Sequence, residues 1–89
     1  MPFFVYILQS EVDHSFYKGF TENPNERLLQ HNNGESSYTS SKIPWKMVYL
    51  EELSSKREAL IREKYLKKLE RSRIELLIDC PKNKLKSLS

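Results

Sequence analysis

The sequence has few of the residues that build covalent or metal-based sites. A single cysteine, Cys80, excludes an intramolecular disulfide and a thiolate metal cluster. Only two histidines, His14 and His31, are present, and no cluster of His, Cys and carboxylate residues has the spacing of a metal cage. Gly19 and Gly34 are the only glycines, so there is no glycine loop that could cradle a phosphate. These absences exclude disulfide-stapled, zinc-ribbon and P-loop proteins.

Long apolar runs are also missing. The longest, Phe3 to Leu8, is far too short to span a bilayer, and it lacks the basic flank and small-residue cleavage site of a signal peptide. We therefore expect a cytoplasmic protein that does not enter membranes. A chain of 89 residues has room for one small core. We predict one domain over residues 1–79 and a basic, frayed tail over residues 80–89.

Positive charge is concentrated in one part of the sequence. The net charge is +3, but the stretch from Lys56 to Arg73 alone carries +5 and the rest of the chain −2. Such a concentration is typical of a surface that meets a polyanion. The alternative is a solvated helix face with pairs four residues apart, such as Glu58–Arg62 and Glu63–Lys67. Charge alone leaves both interpretations open.

Periodicity and capping signals predict six elements. Aromatic and branched residues predict strands over 3–9, 16–21 and 45–53, the first two forming a hairpin. Capping boxes at Asn23, Ser55 and Ser72 predict helices that end near Gly34, Glu70 and Asp79 respectively. The order β-β-α-β-α-α predicts an α+β fold with helices packed on a small, mainly antiparallel three-stranded sheet.

Several polar residues have an unusual placement in this scheme. If the hairpin loop has an even number of residues, Tyr6 and Tyr17 project from the same face of the sheet. Arg27 and His31 are four residues apart and share one face of the first helix. Each pair could equally be ordinary sheet aromatics or surface helix residues. The residues between 35 and 44 form a polar loop, in which Tyr38 either packs over the helix–sheet junction or stacks on a nucleobase.

Glu63 stands inside the basic helix. It shares a stripe with Ala59 and Leu66, so it should border the packed side of the helix and not point plainly to water. A carboxylate in that position either pairs with a neighbour such as Lys67 or holds a cation.

Four segments, in this order and spacing, resemble the core of the GIY-YIG nuclease superfamily, in particular small stand-alone bacterial members related to the amino-terminal nuclease domain of UvrC. They are Val5-Tyr6-Ile7, Tyr17-Lys18-Gly19, Glu26-Arg27-Leu28 with His31-Asn32, and Ala59-Leu60-Ile61-Arg62-Glu63-Lys64. The resemblance runs from Phe3 to about Leu77. The chain departs from the family pattern where Phe4 replaces the first motif's glycine and Lys18 replaces the second motif's isoleucine.

The resemblance implies hydrolysis of a phosphodiester with one divalent metal, Mg²⁺ or Mn²⁺. Tyr6 would activate or position the attacking water, and Tyr17 would hydrogen-bond the phosphate or the water. Arg27 would bind the scissile phosphate, and Glu63 would hold the metal near the leaving oxygen. His31 would be an auxiliary base or a phosphate contact. We expect Tyr6, Tyr17, Arg27 and Glu63 to converge on one cleft.

The expected partner is nucleic acid, DNA in the first place, with little sequence preference and a role in DNA repair or processing. Lys18 faces away from Tyr17 and could contact backbone phosphates. Four basic residues at helical spacing should form a stripe along the nucleic-acid backbone: Arg57, Lys64, Lys68 and Arg71. Two alternatives remain open, a catalytically weak or inactive nucleic-acid-binding module and a domain whose basic helix meets an acidic protein.

Overall fold

The computed structural model describes residues 2–86 and has the predicted α+β architecture. The strands are β1 (Phe3–Ser10), β2 (Phe16–Thr21) and β3 (Trp45–Leu53), and the helices are α1 (Pro24–Asn32), α2 (Lys56–Lys67) and α3 (Arg71–Ile78). The loop before β3 contains one short 3₁₀ turn, Ser40–Lys42. No helix within residues 2–86 is long and apolar enough to cross a membrane.

The three strands form one antiparallel sheet in the order β2-β1-β3. In the hairpin Leu8 lies opposite Tyr17 and Tyr6 lies opposite Gly19, so these four residues share one face. The predicted parity of Tyr6 and Tyr17 is therefore confirmed. β2 is an edge strand. A side chain of β1 that extends over β2, as Tyr6 does at Gly19, therefore lies near the edge of the sheet.

The two faces of the sheet bury separate hydrophobic clusters. The face that carries Val5 and Ile7 packs against α2 and α3 through Ala59, Leu66 and Ile74. The other face carries Tyr6, Leu8, Trp45 and Leu50, with Leu28 of α1 packed against them. The tyrosines thus lie on the α1 face, and α2 lies mainly on the opposite one.

The first two helices begin at the predicted caps. The side chain of Asn23 accepts a hydrogen bond from the backbone N–H of Glu26, and that of Ser55 accepts one from Glu58, both at 3.2 Å. α1 stops at Gly34, whose φ of 78° lies in the left-handed region that favours glycine. The backbone N–H groups of Gly34 and Glu35 donate hydrogen bonds to the carbonyls of His31 and Gln30. These bonds satisfy the last carbonyls of the helix and fix the start of the following loop.

Two predictions about the later helices are wrong. α2 ends at Lys67 and not near Glu70, and α3 begins at Arg71. Ser72 does not cap α3, because the chain has already turned at Glu70, whose carbonyl accepts hydrogen bonds from the N–H groups of Arg73 and Ile74. Arg71 therefore does not continue a stripe along α2.

The frayed tail is not observed for residues 82–86. Asn83 is buried and holds this segment against the edge of β3, where its amide donates to the carbonyls of Val48 and Ile78, both at 2.9 Å. Its side-chain oxygen accepts from the N–H of Leu50, and Lys84 donates its own N–H to the Leu50 carbonyl at 2.8 Å. Residues 87–89, which include the last part of the predicted tail, lie outside the described residues.

Candidate active site

Tyr6 is positioned by the absence of a side chain at Gly19. Its ring lies across this glycine, so that a Cβ placed there would be 2.6 Å from the Tyr6 hydroxyl oxygen and 2.7 Å from Cζ. The ring is 1% exposed. A glycine inside a strand often marks such a close approach, and here it allows a hydroxyl from the central strand to reach the edge strand.

His31 is fully buried beneath Tyr6 and hydrogen-bonded at both ring nitrogens. Its Nε2 lies 3.1 Å from the Tyr6 hydroxyl, and its Nδ1 lies 2.8 Å from Oγ1 of Thr39. The Thr39 hydroxyl also lies 3.4 Å from the carbonyl of Ser36, and when it donates there it accepts from Nδ1–H. This direction leaves the lone pair of a neutral imidazole on Nε2, where it accepts the Tyr6 proton.

Burial controls the protonation of both partners. It lowers the pKa of His31 to about 4, assisted by the positive charge of Arg27. It raises the pKa of Tyr6 to about 12, and the charges of Tyr17 and Glu63 act in the same direction while Arg27 opposes them. At neutral pH the pair is therefore a neutral phenol and a neutral imidazole in one hydrogen bond.

Arg27 is half-buried beside the two tyrosines. Its Nη1 donates a hydrogen bond to Oε1 of Gln30 at 2.9 Å, and this bond restrains the guanidinium. Arg27 lies one helical turn before His31 on α1. Burial disfavours the charge, but interactions with the hydroxyls of Tyr6 and Tyr17 outweigh burial and raise the pKa of Arg27 above its usual value. A permanent positive charge thus adjoins both tyrosines.

Tyr17 joins the site to the loop after α1. Its ring centroid lies 4.9 Å from that of His31 and 6.4 Å from that of Tyr6. Tyr38 and Trp45 approach it from the loop and from β3, at 5.8 Å and 6.3 Å. Trp45 is buried, whereas Tyr38 is 70% exposed and does not pack into the helix–sheet junction.

Glu63 approaches this group from the other side of the sheet. As predicted, Ala59 and Leu66 are fully buried and Glu63 borders them, with its side chain 16% exposed. Its carboxylate lies 3.6 Å from Nζ of Lys67, so the ion-pair interpretation describes the structure as it stands. The charge of the same carboxylate also contributes to the raised pKa of Tyr6.

The expectation of a single cleft therefore remains a prediction. Tyr6, Tyr17, Arg27 and His31 come together on the α1 face of the sheet. Glu63 belongs to α2, which packs mainly on the opposite face, and its charge contributes to the raised pKa of Tyr6. Within residues 2–86 no three His, Cys, Asp or Glu side chains are grouped as a metal cage.

Some of the basic residues are exposed on the surface, whereas others contact an aromatic ring or a carboxylate of the protein. Arg57, Lys64 and Lys68 are exposed on or at the end of α2. Arg71 belongs to α3, where its guanidinium lies 4.7 Å from the Phe16 ring centroid. Arg62 does not pair with Glu58, because its Nε bonds the carboxylate of Glu51 at 3.0 Å. Lys18 projects from the face opposite Tyr17, as alternation predicted, and burial lowers its pKa.

Sequence reasoning missed two positioning residues, Thr39 and Gln30. Thr39 sets the tautomer of His31 and Gln30 holds Arg27, yet nothing in the sequence distinguishes either from its polar neighbours. Gly19 carried a signal, because a glycine within an aromatic strand predicts a close approach of another group.

Alanine at position 19 should displace Tyr6. Since the new Cβ would overlap a buried ring, we expect a loss of about 1–3 kcal/mol in the free energy of unfolding and a rise in the pKa of His31 as the pocket opens. Chemical denaturation and NMR titration of the imidazole measure the two effects.

Gly34→Ala is the matched control for this substitution. There the Cβ meets only Ile43 at 3.8 Å, and the positive φ adds strain without touching the site. It should destabilise the fold while leaving the His31 titration in place. An unchanged His31 titration in Gly19→Ala would contradict the positioning role.

Stability should fall as the pH is lowered from 7 to 5. The unfolded chain protonates His31 near pH 6.5, whereas the folded protein resists protonation until about pH 4. Protons therefore bind preferentially to the unfolded state in this range, and linkage predicts a loss of about 2 kcal/mol at pH 5. Urea unfolding at pH 7, 6 and 5 measures it. His31→Gln should flatten the dependence; an equally steep decline in that variant would exclude His31 as its cause.

The chain is similar to known proteins over most of its length. A family model described as the GIY-YIG catalytic domain matches residues 2–75. A UPF0213 protein of Clostridium perfringens is 47% identical over 70 residues, which cover 78% of this chain and 74% of the relative. The UPF0213 protein YazA of Bacillus subtilis is 37% identical over 81 residues, covering 90% and 81%. The solution NMR structure of a UPF0213 protein from Bacillus halodurans matches with a TM-score of 0.59 and 32% identity, over 92% of this chain and 87% of that one.

Proposed function

This chain belongs to the GIY-YIG nuclease family, and from that premise we propose that it is an endonuclease that hydrolyses phosphodiester bonds of DNA with little sequence preference. The reaction would depend on a divalent cation, Mg²⁺ or Mn²⁺, and would serve DNA repair or processing. The observation that carries the proposal is the buried hydrogen bond between Tyr6 and His31 with Arg27 beside it.

The Tyr6–His31 pair gives the attacking water a path for its proton. The Tyr6 oxygen would take a proton from the water while its own proton passes to Nε2 of His31, so that no free phenolate has to form. A histidine with a pKa of about 4 is a weak acceptor, partly because Arg27 is nearby. A phosphate bound at Arg27 would offset that charge and strengthen His31 as a base when substrate is present.

Arg27 is the residue best suited to bind the scissile phosphate. Its planar guanidinium can bond two phosphate oxygens at once, and it remains charged at every relevant pH. Gln30 holds it in place before substrate arrives, and such preorganisation is what makes a charged donor effective in a transition state. Tyr17 would add a hydrogen bond to the phosphate or to the water.

Glu63 fits a metal site of the sparse kind found in phosphate chemistry. Mg²⁺ and Mn²⁺ prefer oxygen ligands, and Mg²⁺ is often held by one or two carboxylates, with water and phosphate oxygens completing the shell. A bound cation would neutralise charge that develops on the leaving oxygen. To hold it, Glu63 would have to release Lys67, whose exposed ammonium could then contact the phosphate backbone.

Exposed cations around the site would hold the nucleic acid. Arg57, Lys64 and Lys68 lie on or at the end of α2, Arg71 begins α3, and Lys18 flanks Tyr17 at the edge strand. Contacts of this kind supply affinity without sequence preference and weaken with salt.

The second candidate function is a nucleic-acid-binding module without useful catalysis. The specific observation in its favour is the Glu63–Lys67 ion pair, which engages the carboxylate that would have to hold the metal. Salt-dependent binding would be the same for both functions, so binding alone does not separate them.

A cleavage assay separates the two functions. Wild-type protein is incubated with a panel of duplex, flap and single-stranded DNA, with Mg²⁺, with Mn²⁺ and with a chelator. Cleavage that needs the cation and is lost in Glu63→Gln supports the endonuclease. Salt-dependent binding without any cleavage on the panel assigns the protein to the binding-module function.

A further inference from the structure

A groove of about 390 Å³ opens at the outer edge of β2, next to the proposed catalytic tyrosines. It is lined by three aromatic residues and two lysines: Phe16, Tyr17, Lys18, Tyr38 and Lys67. Its volume is in the range of sites that hold a small organic group. Tyr38 lines this groove but has no part in the proposed hydrolysis.

Tyr38 is exposed but held in place. Its side chain is 70% exposed, although the residue after it, Thr39, is fully buried. Thr39 bonds His31 through its side chain, and its carbonyl accepts from Nε1 of Trp45 at 2.9 Å. Its N–H donates to the carbonyl of Ser36 at 3.2 Å. The backbone is thus anchored beside Tyr38, so holding the exposed ring at this place costs little further ordering.

The charges that flank Tyr38 suit a nucleotide better than a purely apolar ligand. Lys18 and Lys67 line the same groove as the aromatic rings, and Lys67 is 57% exposed although it pairs with Glu63 at 3.6 Å. Grooves that combine cations with exposed aromatic rings hold single strands, because bases stack on the rings and phosphates meet the cations. A base inside a duplex has both faces covered by its neighbours. Only an unpaired base could stack on the exposed ring of Tyr38.

We propose that this groove is a nucleobase subsite, in which an unpaired base beside the scissile phosphate stacks on Tyr38 while Lys18 and Lys67 contact the adjoining phosphates. This inference rests on the proposed function and deepens it, because it names an unpaired nucleotide as part of the preferred substrate. The groove adjoins Tyr17, so the stacked base belongs to a nucleotide next to the bond that is cut.

The test measures binding without cleavage. Labelled single strands of about 10 nucleotides, one DNA and one RNA of the same sequence, and the blunt DNA duplex are titrated by fluorescence anisotropy in chelator. Because stacking on one aromatic residue contributes about 5- to 150-fold in affinity, Tyr38→Ala should weaken single-strand binding within that range. Duplex binding should change less than about twofold. Equal losses for DNA and RNA are expected, since both offer a base to the ring.

Two control variants separate stacking from other effects. Tyr38→Phe keeps the ring and should bind like wild type. Tyr65→Ala removes a tyrosine that is 52% exposed on α2 and lies outside the groove, and should leave binding unchanged. Each variant is first shown to be folded by its thermal transition.

The outcomes distinguish this inference from the proposed function. If Tyr38→Ala binds single strands as tightly as wild type, the subsite is refuted even if the wild-type protein cleaves DNA. If Tyr38→Phe loses as much affinity as Tyr38→Ala, the hydroxyl and not the ring is responsible, and stacking is refuted. If wild type binds none of the three nucleic acids at low salt, the proposed function and the inference fail together.

Discussion

Substituting Glu63 with glutamine should lower DNA cleavage by about 10²–10³-fold, the usual effect of removing one electrostatic group from an active site. The change keeps the size of the side chain but removes the charge that would hold a divalent cation. Binding in metal-free buffer should stay the same or tighten slightly, because a negative charge near the phosphate is gone. Cleavage rates with Mg²⁺, affinity in chelator and Mn²⁺ binding by the protein alone measure the three effects.

Glu75→Gln is the matched control. Glu75 pairs with Arg71 across one helical turn at 3.7 Å, as Glu63 pairs with Lys67 at 3.6 Å, but it lies on α3. The Arg71–Glu75 pair is exposed, and such a pair stabilises a helix by only about 0.3–0.5 kcal/mol. Because Glu63 is largely buried, the thermal transition of each variant is measured first. Full cleavage by folded Glu63→Gln would refute the metal assignment, and equal losses in the two variants would indicate a general effect of charge.

Removing Arg27 should stop cleavage by a similar factor and also weaken binding, unlike the change at Glu63. The guanidinium would contact the phosphate before and during the reaction, so Arg27→Ala loses affinity as well as rate. Its charge also lowers the pKa of His31 and of Tyr6. We therefore expect both pKa values to rise in the variant, which NMR titration of His31 can detect without substrate.

Arg27→Lys separates charge from geometry. Lysine restores the positive charge and should return the His31 titration toward that of wild type, but it lacks the fork that bonds two phosphate oxygens. Cleavage should recover only in part. Arg73→Ala, an exposed arginine on α3, serves as the control. If Arg27→Ala leaves binding and the His31 titration unchanged, Arg27 is a surface residue and not part of the site.

The local elements could be predicted because they depend on neighbouring residues. Strand alternation alone placed Tyr6 and Tyr17 on one face, since successive side chains point to opposite sides. The caps at Asn23 and Ser55 and the stop at Gly34 were readable for the same reason: each is complete within one helical turn. The predictions that differ from the structure are those in which contacts with distant residues outweigh the local sequence pattern. The tail was expected to fray because the sequence around Asn83 does not reveal that its amide completes the edge of β3.

The sequence by itself determined the α+β order, the shared face of the tyrosines, the placement of Arg27 and His31 on one helix, and the resemblance to a nuclease core. Only the tertiary structure decided the chemistry of these groups. His31 became a neutral acceptor because folding buries it, brings Thr39 from the following loop to one ring nitrogen and brings Tyr6 from β1 to the other. The charge of Glu63 helps to raise the pKa of Tyr6, although the two residues are far apart in the chain. The burial of a group and the charges around it depend on tertiary contacts between segments that are distant in the sequence, and the periodicity of the sequence does not predict those contacts.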